Sequence, residues 1–342
     1  MGVRSTNPIQ SFFDDFYRSG TDAVSNAPGL VSGPITATGG DSTLTITGYK
    51  VHIFTTTGAS TFVVSSGGGE VEYLVVAGGG SGSAQYGGGG GAGGFRTNLS
   101  GHPRAGDPVN VQPGTTNVTV GAGGQYATPP GMPGVAGANS SIDPNSPETN
   151  TITATGGGGG GHPGQEPSPW YPTPGTNGGP GGSGGGGAGR TGTYAPNYTG
   201  GAGNAGGFPT PTREGFDGGD GIAPGNRAGG GGGGAGGAGT DGTSSQAGPG
   251  GVGIQCLIAG NPSPIGTSGP SPGNGWFAGG GGAGGFNVSA GSGGTGGGGS
   301  GAPAGNDGTA NTGGGGGGGF HPGATTGGDG GSGIVVIRYP TT

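Results

Sequence analysis

The sequence predicts an all-β fold in which short β-strands, arranged as a jelly-roll-like sheet, clamp a bundle of polyglycine II helices, with a short helix at the N-terminus. Three observations predict it. Glycine supplies 107 and proline 29 of the 342 residues, yet runs such as 156–161 and 313–319 are glycine throughout. No Gly-X-Y register persists, which excludes a collagen triple helix. Apolar, β-branched runs flank the glycine region on both sides, at 71–77 and 334–339. Only 7% of residues are charged, against about 25% in an average domain, and aromatics recur at the ends of glycine runs. That is neither charge-driven disorder nor a flexible Gly/Ser linker. Packed polyglycine II remains: three residues per turn, no internal hydrogen bonds, and stability only when neighbours satisfy every backbone group.

The elements follow in chain order. Residues 1–30 form a first region, an attachment or oligomerisation segment. Asn7 is an N-cap and Pro8 suits the first helical position. Ile9, Phe12, Phe13, Phe16 and Tyr17 then fall at i, i+3, i+4, i+7 and i+8, one apolar helix face. Gly20 ends the helix, and 27–29 (APG) is a linker to the glycine-rich domain, 31–342. Within that domain, 44–47, 49–54, 61–64 and 71–77 predict strands separated by Gly and Ser turns. The runs 71–77 and 334–338 are short and nearly continuously apolar, as central strands are. They are expected to share one sheet and so to clamp the chain between them. Between them, 87–95 (GGGGGAGGF), 279–286 (GGGGAGGF) and 313–320 (GGGGGGGF) each run glycines into an aromatic cap. Shorter strand signals lie at 117–121, 151–155 and 254–259, the last placing Cys256 as a buried strand residue. Five loops of different composition, 126–150, 162–177, 190–200, 208–217 and 260–277, hold most of the Pro, both Trp and four of the nine Tyr. Long loops on a rigid scaffold tend to carry function.

Chemistry-bearing constellations are sparse. The five glutamates, Glu70, Glu72, Glu148, Glu166 and Glu214, pair with no acid at a catalytic spacing, and no nucleophile elbow or phosphate loop is present. The expectation is a protein without enzymatic activity and without a cofactor. Three of the four histidines precede proline (His102, His162, His321), which fits extended backbone at run ends better than metal ligation. The Gly-Asp-Gly stretches 216–221 and 327–331 lack the nonapeptide spacing of calcium repeats and are taken as turn aspartates. No metal is expected. A net charge of −7 argues against nucleic acid. No run of 18 apolar residues predicts membrane insertion, and the start MGVRSTNPIQ carries no secretory h-region. The loop aromatics Trp170, Tyr171, Tyr194, Tyr198, Trp276 and Phe277 are the candidate ligand-binding residues. Aromatics beside polar groups are common on recognition surfaces. The alternative is that they seal the ends of the glycine array.

Three passages, taken in order, carry a resemblance. They are 49–58 (YKVHIFTTTG) with 71–80 (VEYLVVAGGG), then 118–124 (VTVGAGG) with 151–159 (TITATGGGG), then 330–339 (GGSGIVVIRY). This order resembles the glycine-rich domain of structural proteins of marine phages, particularly cyanophages and pelagiphages. The opening, with 4–8 (RSTNP) and 12–16 (FFDDF), is similar to the start of such virion proteins. In architecture the chain is also similar to the tip adhesins of some T-even-type phages and to the extracellular glycine-rich region of anaplastic lymphoma kinase. The resemblance implies a virion structural protein, a tail or capsid fibre or adhesin presenting loops to the host surface. A purely structural decoration protein is the alternative, and an ice-binding protein a more distant one. The implied partners are other virion proteins through residues 1–30, a host surface glycan or protein receptor, and further copies of the chain, a trimer being the working assumption.

Overall fold

A computed structural model of the chain describes residues 31–126, 132–146, 150–164, 175–189, 198–204, 213–222, 227–270, 273–320 and 326–341. The expected N-terminal helix, with Ile9, Phe12, Phe13, Phe16 and Tyr17, lies outside the described residues. Among those described, the regular elements are all β-strands.

The sheet is antiparallel and curled. It is built from β1 (Gly33–Gly39), β2 (Ser42–Ile46), β3 (Tyr49–Phe54), β4 (Gly58–Val76), β5 (Phe95–Thr97), β6 (Val109–Val111), β7 (Gly114–Val120), β8 (Ser140–Asp143) and β9 (Ile152–Ala154). Four two-residue strands, β10 (Arg227–Ala228), β11 (Ile254–Gln255), β12 (Trp276–Phe277) and β13 (Gly285–Phe286), pair outside it, and β14 (Ile334–Pro340) ends the chain in its centre. The order is β2-β3-β14-β4-β7-β8-β9, with β1, β5 and β6 also on β4. The two apolar runs that flank the glycine region do meet: Ile334 pairs with Val76, Val336 with Leu74 and Arg338 with Glu72. Arg338 and Glu72 are ion-paired at 2.6 Å.

Both faces of that central pair are covered. Val75, Val335 and Ile337 enter one core with Phe62, Val118 and Ile142, while Leu74, Val76, Ile334 and Val336 enter a second with Phe95 and Phe277. This is why the runs read as continuously apolar. The expectation of separate strands at 61–64 and 71–77 needs correction. They are one 19-residue strand, β4. Glycines 67–69 lie inside it, and Gly67 and Gly69 have φ of 73° and 149°. That permits a bend inside the strand where a turn was expected. One half of β4 pairs with β1 and β7, the other with β14 and β5.

The glycine runs form a hydrogen-bonded array beside this sheet. Their donors follow a period of three. Gly79 and Gly82 donate to Gly331 and Gly328, Gly80 and Ser83 to Gly91 and Gly88, and Gly78 and Ser81 to Ala138 and Val135. Successive residues thus address three different neighbours. Segment 87–94 lies inside six others. Its peptide N–H groups donate to 155–161, 313–319 and 230–233, and its carbonyls accept from 77–83, 183–186 and 281–284. Glycine serves here for close approach, not for backbone conformation, since none of residues 87–94 has a left-handed φ. A Cβ on Gly90 would stand 2.1 Å from the Gly80 carbonyl oxygen, and one on Gly232 2.0 Å from that of Gly90.

The hydrogen-bond registers also orient the array. Residues 77, 94, 121, 155 and 333 lie beside the strands, so one end of every such segment is a sheet end. The opposite, loop end is marked by the contacts Ser83–Gly88, Thr176–His162, Ile222–Ala228 and Thr243–Gln246.

Candidate functional site

The loop end gathers side chains that the glycine segments themselves lack. Tyr86 lies in the turn between 77–84 and 87–94. Its ring meets Phe286 edge-on at 6.1 Å, and the Arg227 guanidinium lies 5.3 Å from its centroid and donates to its hydroxyl at 3.1 Å. Gln85 (φ 50°), Tyr86 (φ 61°) and Asn287 (φ 52°) hold left-handed conformations. In a chain with 107 glycines, side chains retained at such positions are there for what they touch.

Tyr198 is buried at this same end. Its hydroxyl donates to the Pro163 carbonyl at 3.1 Å and ties together the chain on either side of the segment at 176–189. His162 beside it is also buried. Its Nδ1 accepts from Gly164 N at 3.1 Å, which leaves the proton on Nε2, a buried atom without a partner among the described residues. Burial alone pushes its pKa down to about 4. Trp170, Tyr171 and Tyr194 lie outside the described residues.

The remaining two candidate aromatics are at the sheet end. Phe277 and Trp276 form β12, paired with β11 (Ile254 with Phe277, Gln255 with Trp276). Phe277 is 0% exposed in the core with Leu74 and Phe95, so it holds the array on the sheet and is unavailable to a ligand. Trp276 packs over Gly269, where a Cβ would stand 2.6 Å from its ring. The five expected loops therefore divide. Residues 213–217, 260–270 and 273–277 lie at the sheet end, and the stretch 126–150 includes array segment 134–139 and strand β8. Cys256 is buried as expected, just beyond the two-residue β11. Burial pushes its thiol up to about 11, which keeps it protonated and unreactive.

A buried ion pair was missed. Arg96 Nε donates to Glu214 Oε1, with Glu214 fully buried, and Glu214 Oε2 accepts from Thr155 N and Asn204 Nδ2. One carboxylate thus fastens β5 to array segments at 155 and 204. The partners are 118 positions apart, and no local pattern signals such a pair.

The Gly-Asp-Gly aspartates are not turn residues. Asp217 and Asp220, three apart on one segment, accept from Gly203 N and Gly200 N of the next, each at 2.8 Å. Asp241 accepts from Asp220 N, Asp307 from Asp329 N and Asp329 from Tyr126 N. They stand at the array's edge, where a carboxylate takes the peptide N–H that has no further segment to meet. Among the described residues no three His, Cys, Asp or Glu side chains gather as metal ligands. A shallow pocket of about 210 Å³, lined by Ile35, Ala37, Lys50, Tyr339 and Thr341, is below the roughly 300–1,000 Å³ of typical ligand sites.

Fold and site together define a scaffold: a curled β-sheet, a glycine array, and an end where turns and loops meet. A family model for a glycine-rich domain matches residues 55–340, and the chain belongs to that family. A search of the curated proteins finds no match.

Proposed function

We propose that the chain is a non-enzymatic virion protein of a marine phage, a tail or capsid fibre or adhesin, whose jelly-roll-like sheet supports polyglycine II helices. The period-three donors and the six-fold surround of segment 87–94 support the helix assignment, because three residues per turn is the polyglycine II repeat. The observation that carries the function is the polarity of the array. Its strands collect at one end, and two of the five variable-composition loops, 162–177 and 190–200, border the other at His162 and Tyr198, so a rigid body presents these loops outward. At about 3.1 Å per residue, an eight-residue segment holds those loops roughly 25 Å from the sheet. Trp170, Tyr171 and Tyr194 belong to two of the loops and are the ligand-contacting residues of this reading. Residues 1–30 attach the chain to other virion proteins or, in a trimer, to its copies, through Ile9, Phe12, Phe13, Phe16 and Tyr17. The receptor is a glycan or protein on the host surface.

The test is made on particles. Residues 165–174 and 190–197 are each replaced by a short Gly-Ser linker in the phage genome. Normal assembly with reduced adsorption to host cells is expected. Normal adsorption by both variants would assign the protein to decoration, and absence of the chain from purified particles by mass spectrometry would end the virion reading.

A further inference from the structure

At the sheet end, two arginines converge on one phenylalanine. The Arg104 guanidinium lies 5.5 Å and that of Arg213 4.6 Å from the Phe216 centroid. Arg104 Nη1 donates to the Arg213 carbonyl at 3.1 Å, and Arg213 Nη1 to the Gly215 carbonyl at 3.3 Å. This uses one terminal nitrogen of each guanidinium.

The pair is anomalous on charge. The chain has nine basic residues against sixteen acidic ones. Two like charges placed together are unfavourable, and a chain rich in acids could readily have neutralised them. It does not. Among the described residues, the ion pairs are Arg96 with Glu214 and Arg338 with Glu72. Asp107, three residues from Arg104, forms no ion pair among the described residues, and the acids flanking Arg213 and Phe216 are committed elsewhere. Glu214, adjacent to Arg213, binds Arg96, Thr155 N and Asn204. Asp217, adjacent to Phe216, takes Gly203 N. The 205–212 stretch that enters Arg213 contains no acid at all. Both guanidiniums are partly buried, and burial together with the Arg213 charge lowers the Arg104 pKa.

We propose that Arg104 and Arg213, held by Phe216, form a binding site for a small oxyanion, a carboxylate or sulfate group. A guanidinium presents planar paired N–H donors that match a carboxylate or sulfate edge. An overall charge of −7 disfavours a long polyanion such as nucleic acid, whose binding rests on summed long-range attraction. A single anion recognised at short range does not depend on that sum. The site is distinct from the loop end, so it stands or falls separately from the adhesin reading.

The probes are sodium glucuronate, sodium sulfate and neutral glucose, with sodium chloride at matched ionic strength as reference. Binding is read by chemical-shift titration and by thermal melting of the full chain. Glucuronate and sulfate are expected to raise the melting temperature above the chloride reference, and glucose is not. Arg104→Gln and Arg213→Gln should each weaken glucuronate binding by about tenfold or more, and Arg104→Lys should restore only part of it, since lysine keeps the charge but not the fork. A Lys50→Gln control, distant from the site, should bind as the parent does. Equal stabilisation by chloride would overturn the proposal, as would Gln variants that fold and still bind glucuronate with parental affinity. If the Gln variants do not fold, the parent's titration decides: shifts confined to residues around 104 and 213 sustain the site, and their absence removes it.

Discussion

Glycine in this chain acts through what it lacks, and single positions show how much room that leaves. A Cβ on Gly158 would meet the Gly179 carbonyl oxygen at 2.0 Å and one on Gly316 that of Gly328 at 2.1 Å, both backbone atoms that cannot swing aside. At Gly237 the nearest atom is a Val252 methyl at 3.3 Å. Gly158→Ala and Gly316→Ala should therefore each destabilise by about 1–3 kcal/mol, the usual cost of overpacking, while Gly237→Ala should change stability by less than about 0.5 kcal/mol. Chemical denaturation compares the three, and equal midpoints would deny close packing. That glycine runs pack was legible in composition; which glycines are inviolable was not, because identical residues carry no sign of their neighbours. One sign was available and overlooked. In 87–95 alanine precedes phenylalanine by three, the repeat of the array, and Ala92 and Phe95 both enter the same core. The histidines make a second residue-scale prediction. His52, His102 and His162 all have pKa values lowered chiefly by burial, His162 to about 4. At these histidines the unfolded chain thus binds more protons than the folded one between about pH 6.5 and 4, so their contribution makes stability fall as pH drops through that window and adds no further loss below it. For His162 the loss is on the order of 2–3 kcal/mol. His162→Gln, neutral throughout, should flatten the melting temperature between pH 7 and 4.5, and an unchanged slope would contradict burial of a neutral ring.

Elements in this fold are joined by few side chains, so those few matter more than their number suggests. Strand periodicity revealed β3, β7 and β14 because their alternating or continuous apolar residues face a core. The three-residue strands β5 and β6 and the four-residue β8 are too short to show a period and exist because β4 or β7 offers an edge to pair with. The Arg96–Glu214 pair works at this scale, since it fastens β5 and the segments at 155 and 204 across the boundary between sheet and array. Removing one partner leaves the other charged and buried, which typically costs 3–5 kcal/mol, whereas exchanging both for apolar residues costs much less. Glu214→Gln should therefore destabilise more than the double variant Arg96→Met/Glu214→Leu, measured by urea titration of both. The reverse order would mean that the pair's hydrogen bonds to Thr155 N and Asn204 outweigh its charge.

For the molecule as a whole, the arrangement strand, glycine region, strand was readable from the two apolar runs and their positions. The order of segments in the array was not, since glycine offers no chemistry to choose one neighbour over another. Partner choice falls to segment length, to turns such as that at Tyr86, and to edge aspartates. An array held only by backbone hydrogen bonds has little stability to offer, because each such bond contributes about 0.5–1.5 kcal/mol net while ordering each backbone residue costs about 1–2 kcal/mol. Local gain and local cost nearly cancel, so the sheet and its two apolar cores must supply the surplus. It follows that the array and the sheet unfold together. Ile337 is fully buried in the first core, on strand β14 and outside the glycine runs. Ile337→Ala should cost about 2–5 kcal/mol, and hydrogen exchange should show residues 156–161 losing protection by the same free energy as residues 71–76. If the glycine segments kept their protection while the strands lost theirs, the array would be a self-sufficient unit, and the clamp formed by β4 and β14 would not be what orders it.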